Sequence, residues 1–329
     1  MVRMGEFELL ARIRERLPAN GPRIHLGSGD DAAVSLPGGA TATSVDALVD
    51  GVHFRRQLAS PAQIGHKALA TALSDLAAMG AEPGEAYVVL GLPADFSEEE
   101  CIELLDGMTA LAADTGTALA GGDLSRAREL FLAITVVGHS SDPQAFVDRG
   151  GARPGDVLVL TGELGGASAG LELLEDPALE ASLTGGAAEE LRARQLEPTP
   201  RLRAGRALAQ AGATAMIDLS DGLGADAGHI AQSSGVELRI EAEAVPIATG
   251  AKALRAAGGS DPWTLLNGGE DYELLASVPP ARLDEAIRAV HDKGGTALTQ
   301  VGEVLAGSGV EIRLPDCRLL EPGGFDQLA

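Results

Sequence analysis

Residues 214–223 read TAMIDLSDGL and join a short apolar segment to an acidic turn. The apolar residues up to Ile217 predict a strand, and the residues from Gly222 onward predict a helix over 222–233. Asp218 and Asp221 fall where the chain turns between these two elements. A strand that passes through a turn into a helix is typical of packed α/β layers, so this stretch places the protein in the α/β or α+β class.

Aspartates recur in the same setting along the rest of the chain, after apolar segments or beside glycine. Two bare carboxylates about 4 Å apart repel by about 4 kcal/mol at an effective dielectric constant near 20. Gathering several of them therefore requires a cation or raised pKa values, and hard oxygen ligands of this kind suit Mg²⁺. A single aspartate in such a position is more simply explained by a helix N-cap or a turn. The metal prediction depends on the whole set, which is Asp30, Asp31, Asp46, Asp75, Asp123, Asp218 and Asp221.

The composition limits the partners that the protein can bind. The chain has 329 residues with 25 Lys and Arg against 48 Asp and Glu, so its net charge is −23. A field of this sign repels nucleic acid and anionic membrane surfaces, and a phosphate ligand would need a metal to neutralise it. Cys101 and Cys317 are far apart and form no zinc or disulfide pattern, which fits a reducing cytoplasm. With no apolar run of 18 residues, we expect neither a signal peptide nor a membrane span.

A chain of this length predicts two domains. Strand patterns occur at 40–49, 86–92 and 130–138, with helices at about 61–79 and from Ser97, where Ser97 and Glu100 form a capping box. Residues 140–155 are rich in Ser, Pro and Gly and carry no sustained periodicity. We therefore expect an N-terminal domain at 1–139, a linker at 140–155 and a C-terminal domain at 156–329.

Familiar phosphate and metal loops do not account for the acidic turns. GSGDDA (27–32) fits G-x-G-x-x-A, but carboxylates inside such a loop oppose pyrophosphate unless a metal intervenes. No Walker motif occurs, and an EF-hand starting at Asp218 fails because position twelve is His229 rather than Glu.

Eight strings, taken in order, resemble the thiamine-monophosphate kinase family over essentially the whole chain: MGEFELLARI, GSGDDAAV, SVDALVDGVHF, KALATALSDLAAMGAEP, LAGGDLSR, RGGARPGD, AMIDLSDGL and NGGEDYEL. The resemblance implies a two-domain fold like that of aminoimidazole ribonucleotide synthetase. Its N-terminal domain would bind ATP and metal and form the dimer, with a mixed or antiparallel sheet plus helices, and its C-terminal domain would be an α/β sandwich. The implied activity is ATP- and Mg²⁺-dependent phosphorylation of thiamine monophosphate to thiamine diphosphate, by in-line transfer in a cytoplasmic homodimer.

The resemblance also implies site residues by position. The metal ligands would be Asp31, Ser44, Asp46, Asp75, Asp123, Asp218 and Asp221. ATP would be contacted by Gly122, Asp123, Arg149 and Ser220, and thiamine phosphate by His53, Glu270 and Phe325. Val45 stands where the family commonly has Thr or Ser, and its side chain has no oxygen to offer.

No catalytic nucleophile is expected, because the acceptor is a phosphate oxygen that is already nucleophilic at neutral pH. Two other hypotheses remain open. One is a sister ATP-dependent enzyme of the same superfamily that acts on another small molecule. The other is a non-catalytic nucleotide- or metal-binding module.

Overall fold

The computed structural model describes residues 9, 12–13, 15–17, 22–27, 33–36, 38–258 and 261–324. The chain divides into two compact units, one of Met1–Leu76 with Glu82–Pro143 and the other of Ala77–Ala81 with Gln144–Ala329. Asp30, Asp31 and Phe325, three residues singled out in the sequence, lie outside the described residues.

The first unit is built on a mixed sheet. Its strands are β1 (Ile24–Leu26), β2 (Val34–Ser35), β3 (Ala40–Val49), β4 (Glu82–Leu92), β5 (Ala118–Arg126) and β6 (Phe131–Ser140). The main sheet has the order β3-β6-β4-β5, in which only the β4–β5 pair is parallel, while β1 and β2 form a separate antiparallel pair. Its two long helices among the described residues are α1 (Pro61–Ala78) and α2 (Glu98–Thr115), and residues 12–13 and 15–16 are also helical.

The strand β3 shows why this sheet has one covered face. Its residues alternate in burial, so that Ser44, Asp46 and Leu48 lie on one face and Thr43, Val45 and Ala47 on the other. The cross-strand partners of the first set on β6 are Val136, Ile134 and Leu132, which are all fully buried. Because side chains opposite each other share a face, Ser44 and Asp46 point toward the covered side of the sheet.

The second unit is built on a seven-stranded sheet. Its strands are β7 (Val157–Thr161), β8 (Ala215–Asp218), β9 (Glu237–Glu241), β10 (Leu274–Val278), β11 (Leu298–Leu305), β12 (Gly309–Arg313) and β13 (Leu319–Leu320). The order is β13-β12-β9-β11-β7-β10-β8, with one parallel pair, β9–β12. The helices are α3 (Gly166–Glu175), α4 (Ala187–Leu196), α5 (Leu202–Ala211), α6 (Leu223–Ser234), α7 (Thr249–Gly258) and α8 (Leu283–Ala289).

Short helical turns connect these elements. Within the described residues these are 3₁₀ turns at Pro143–Ala145, Pro177–Ser182, Ala242–Ala244, Pro262–Asn267 and Pro280–Arg282, and a π-helical turn, Val290–Gly294, that directly follows α8. The core of the second unit consists of small and aliphatic residues, among them Leu158, Leu160, Ile217 and Leu238, that join the sheet to α3, α4 and α6.

Most predicted elements are confirmed, and the differences have local causes. The predicted strand at 40–49 coincides with β3, and α2 begins with the predicted capping box, in which the Glu100 N–H donates to the Ser97 hydroxyl at 3.1 Å. β4 starts at Glu82 rather than residue 86, because pairing with β6 continues through a bulge. The helix α7 was not predicted. Among the helices of the described residues, none has the length and hydrophobicity that a membrane span requires.

Candidate active site

The first unit brings together three of the residues assigned to metal binding. Ser44 and Asp46 are on β3, and Asp75 is in the last part of α1. The Ser44 hydroxyl donates a hydrogen bond to Asp75 Oδ2. The strand and the helix thus hold one hydroxyl and two carboxylates as neighbours.

The electrostatics of this cluster are unfavourable without a cation. Burial and, to a smaller extent, the negative charge of Asp75 together raise the pKa of Asp46 to about 6. A carboxylate that is desolvated and faces a like charge is stabilised by a bound cation, which favours its ionised form. We call Asp46 and Asp75 the acid pair, and Ser44 is the serine that accompanies it.

These donors fit Mg²⁺, because carboxylate and hydroxyl oxygens are the hard ligands that it prefers. In the part of the chain that the structure describes, no three side chains of His, Cys, Asp or Glu come together as a complete metal site. Magnesium usually keeps several waters and shares substrate phosphates with a few carboxylates, so an incomplete protein site is in keeping with this ion.

Gly122 and Asp123 lie on β5 at the edge of the main sheet, and both are exposed. Across the strands, Asp46 pairs with Ile134, Ile134 with Val88, and Val88 with Gly122, so Gly122 lies in the row of Asp46. Asp123 pairs with Val89. Asp123 therefore occupies the next row of the sheet and not the row of Asp46. A small cavity of about 60 Å³ adjoins this strand, with a lining that includes Leu105, Leu119, Gly122 and Asp123.

His53 follows β3 and has a defined tautomer. The Val49 N–H donates to His53 Nδ1 at 3.1 Å, so the proton of the neutral imidazole is on Nε2. His53 Nε2 is buried and has no hydrogen-bond partner among the described residues. The ring is thus set up as a donor, which suits a phosphate oxygen.

In the second unit, the turn after β8 and the segment before β10 are joined by backbone hydrogen bonds. The Glu270 N–H donates to Ser220 O at 2.8 Å, and the Tyr272 N–H donates to Leu219 O at 2.9 Å. Gly269 is needed here, because a Cβ at this position would lie 2.4 Å from Ser220 O. The contacts bring Asp218, Ser220 and Asp221, assigned to metal and ATP, next to Glu270, assigned to the substrate.

Asp226 supports the acidic turn from the first part of α6. Its carboxylate accepts the N–H groups of Asp221 at 3.0 Å and Gly222 at 3.1 Å. Burial raises the pKa of Asp226 to about 6, although these two hydrogen bonds oppose the rise. The side chain fixes the backbone that carries Asp218 and Asp221.

The segment from Glu270 to Glu273 is held at several points, and we call it the acid segment. Glu270 and Tyr272 have left-handed backbone conformations, with φ of 67° and 50°. Between them, Asp271 accepts the N–H groups of Gly165 at 2.7 Å and Ala167 at 3.1 Å at the start of α3. Burial raises the pKa of Asp271 to about 7, against the effect of these hydrogen bonds.

Glu273, which is 1% exposed, ends the acid segment in a dense set of hydrogen bonds. Its carboxylate binds Arg201 through two nitrogens at 2.8 and 2.5 Å and accepts the Thr161 hydroxyl at 2.6 Å. Non-glycine residues with positive φ persist only where their surroundings fix them, and such strain is concentrated at functional sites. The acid segment is therefore a preorganised element of the second unit.

Arg149 lies in the segment assigned to the linker, and its side chain is exposed. The backbone around it is nevertheless attached to the second unit. The Ser234 hydroxyl donates to Arg149 O at 2.9 Å, and the Met216 N–H donates to Asp148 O at 3.1 Å. These bonds fix the position of Arg149 relative to β8 and α6.

Sequence reasoning missed two residues that support this site, Asp226 and Gln195. Gln195 is 5% exposed and donates from Nε2 to Glu270 Oε2 at 2.6 Å. The signal that could have found it is its spacing, because Ala188, Leu191 and Gln195 form the buried face of α4. A glutamine on an otherwise apolar face indicates a specific partner.

The fold and the acidic turns define a class of protein. A family model described as AIR synthase related protein, N-terminal domain, matches residues 29–140, and one described as the C-terminal domain of the same proteins matches residues 153–315. This chain is an AIR synthase-related protein, and the expected two-domain fold is confirmed.

Relatives within this class define the family more closely. Thiamine-monophosphate kinase of Mycobacterium tuberculosis is 42% identical over 284 residues, which cover 83% of this chain and 80% of the relative. The structure of thiamine-monophosphate kinase from Stenotrophomonas maltophilia matches with a TM-score of 0.81 at 37% identity, over 94% of this chain and 96% of that one. AaThiL, solved in complex with AMPPCP and TMP, matches with a TM-score of 0.77 at 31% identity, over 98% of both chains. The chain belongs to the thiamine-monophosphate kinase family.

Proposed function

We propose that this chain phosphorylates thiamine monophosphate to thiamine diphosphate with ATP, as an enzyme of thiamine diphosphate biosynthesis. It is an ATP-dependent phosphotransferase whose acceptor is a phosphate group. The assignment to particular residues rests on the acid pair with its serine. Burial and the like charge of Asp75 make ionised Asp46 unfavourable, and a bound cation would stabilise it.

Mg²⁺ is the cation that we propose for these carboxylates. The ligands would come from Ser44, Asp46, Asp75 and Asp123 in the first unit, from Asp218 and Asp221 in the second, and from Asp31. A metal held by these residues would supply positive charge to the phosphates of ATP and the acceptor. Asp226 holds the turn of Asp218 and Asp221 through two backbone N–H groups, which keeps both carboxylates in place.

ATP would be contacted by Gly122 and Asp123 on β5, by Ser220 in the acidic turn and by Arg149. Gly122 and Asp123 are exposed on an edge strand, where a ligand can reach them. Arg149 is exposed and has its backbone fixed, so its guanidinium can pair with phosphate oxygens. With a net charge of −23 for the whole chain, a positioned arginine and bound metal would supply the positive charge that nucleotide binding needs.

The acceptor would be bound by His53, Glu270 and Phe325. The Nε2–H of His53 suits a phosphate oxygen of thiamine monophosphate. The carboxylate of Glu270 suits the cationic part of the substrate, and Phe325 offers a ring for stacking. Because the attacking group is itself a phosphate oxygen, these residues bind and orient the acceptor and need not remove a proton.

We also propose that the enzyme is a cytoplasmic homodimer formed through its first unit. The face of the main sheet opposite the acid pair carries apolar residues in solvent, with Val45 65% exposed and Val89 36% exposed. Val45 thus lies on the proposed dimer face, away from the row of Ser44 and Asp46. Covering this face with a second copy would remove both valines from water.

The test is an incubation of the purified protein with ATP, Mg²⁺ and thiamine monophosphate, with thiamine as a parallel acceptor and chromatography of the products. Thiamine diphosphate formed only from the monophosphate, and only with Mg²⁺, supports the proposal. ATP hydrolysis or transfer to thiamine alone would contradict it and indicate a sister enzyme. Binding of ATP without any turnover would indicate a nucleotide-binding module.

A further inference from the structure

The side chain of Gln195 joins α4 to the acid segment. It is 5% exposed, and its Nε2 donates to Glu270 Oε2 at 2.6 Å. Its Oε1 is buried and has no hydrogen-bond partner among the described residues. A buried amide with an unpaired oxygen is rare in native proteins, and a shape-matched apolar residue would fill the same place. The hydrogen bond to Glu270 therefore explains why a polar side chain occupies this buried position.

The packing of two helices places this amide. A Cβ at Gly170 of α3 would lie 2.0 Å from Leu191 O and 3.1 Å from the Cβ of Gln195 on α4. The glycine thus allows α4 to approach closely enough for its last turn to reach the acid segment. Gln195 is fixed by helix packing before any ligand binds.

The position of Glu270 is defined from both sides of its turn. Its own φ is 67°, its N–H is bonded to Ser220 O at 2.8 Å, and the following Asp271 is anchored to α3. These contacts fix the backbone of Glu270. Gln195 adds a contact to the side chain, through its hydrogen bond to Glu270 Oε2.

We propose that Gln195 is a positioning residue that orients Glu270 toward the cationic part of thiamine monophosphate. The proposal rests on the proposed function and adds a residue to its substrate side. A hydrogen bond to a carboxylate is among the stronger hydrogen bonds. An arginine in this position would neutralise the carboxylate, whereas the amide of Gln195 holds it without doing so. The amide is neutral, so it fixes the geometry of Glu270 without placing a positive charge beside it.

The test is a double-mutant cycle with Gln195→Met and Glu270→Ala, assayed for the KM of each substrate and for kcat. Methionine keeps the volume of the buried side chain, and alanine keeps the Cβ at the left-handed position. We expect Gln195→Met to raise the KM for thiamine monophosphate on the order of tenfold, while kcat and the KM for ATP change less than about twofold. In the Glu270→Ala background, Gln195→Met should add no further change.

Gln210→Met on α5 is the matched control, because Gln210 is exposed and binds Lys293 at 3.0 Å. It should leave every kinetic constant unchanged. Thermal unfolding without ligand and calorimetric titration with thiamine monophosphate separate folding from binding. If Gln195→Met does not fold, Gln195→Glu serves instead, and its carboxylate opposite Glu270 should raise the KM at least as much.

The outcomes are distinct. An unchanged KM for thiamine monophosphate in Gln195→Met, or the same increase in the Glu270→Ala background, would overturn the positioning role. An equal rise in the KM for thiamine monophosphate and the KM for ATP would indicate a structural role for Gln195 and would also overturn the positioning role. A wild-type protein that does not phosphorylate thiamine monophosphate would instead overturn the proposed function, and the wild-type assay alone decides that.

Discussion

The acid pair of the first unit and the acid segment of the second unit both consist of acidic side chains, but the groups around these side chains differ. The charge of Asp75 acts on Asp46, whose pKa is raised by burial and by this charge. In the acid segment, each acidic side chain has its own donor: Gln195 for Glu270, two N–H groups for Asp271, and Arg201 with Thr161 for Glu273.

The difference separates two reasons for burying a carboxylate. A paired carboxylate fixes the backbone, and removing its partner destabilises the fold. Two neighbouring carboxylates destabilise the folded protein when no cation is bound, so such a pair indicates a ligand site. The predictions below test whether the two regions behave in these opposite ways.

The largest effect is expected from Asp46→Asn, which should lower kcat/KM for thiamine monophosphate by a hundredfold or more, on the order of the loss of one electrostatic stabiliser. Without Mg²⁺, the free energy of unfolding should stay the same or rise, because the repulsion from Asp75 is removed. Activity assays and urea unfolding in EDTA measure the two changes. Marked unfolding together with lost activity would assign Asp46 a structural role.

The converse substitution in the acid segment is Arg201→Met, which leaves the buried carboxylate of Glu273 without its cation. We expect a loss of about 3 kcal/mol in the free energy of unfolding, the usual cost of breaking a buried pair from one side. Arg192→Met is the matched control, since Arg192 binds Glu180 at 2.7 Å and the Glu180 side chain is 55% exposed, whereas that of Glu273 is 2% exposed. Urea unfolding should give less than about 1 kcal/mol for the control, and equal losses would remove the contrast.

A pH titration sharpens the comparison through Asp271, whose pKa is raised to about 7 by burial. This carboxyl binds its proton more tightly in the folded than in the unfolded protein. Its contribution to the free energy of unfolding therefore falls as the pH rises from about 4 to about 7, by at most about 1.4 kcal/mol for each pH unit. The stability of the wild type relative to Asp271→Asn should decline across this window and level off above it. A difference that rises with pH would contradict the assignment.

The smallest effect is the stabilisation of the ligand-free protein by Mg²⁺. Binding to the folded state alone should raise the melting temperature by a few degrees at millimolar Mg²⁺. The rise should be lost in the double variant Asp46→Asn, Asp75→Asn and kept in Arg201→Met. Calorimetric melting with and without EDTA measures it, and an equal rise in all three proteins would place the metal elsewhere.

Much of this architecture follows from local patterns in the chain. The alternation over 40–49 predicted β3, and the Ser97–Glu100 spacing predicted the start of α2, because period and capping depend on neighbours in sequence. The start of β4 was not predicted, since strand length is decided by pairing with β6. The helix α7 was not predicted either; its buried residues are Ala251 and Leu254.

The sequence by itself predicted the chemical character of the proposed site, because acidic strings without a Walker motif indicate metal-assisted phosphate binding. It did not indicate that Ser44 bonds to Asp75, that Asp123 occupies another row than Asp46, or that Asp226 and Gln195 support the loops. The hydrogen bonds among these relations join residues 5, 31 and 75 positions apart. Only the register of the strands and the packing of the helices decide which carboxylates face each other and which find a donor.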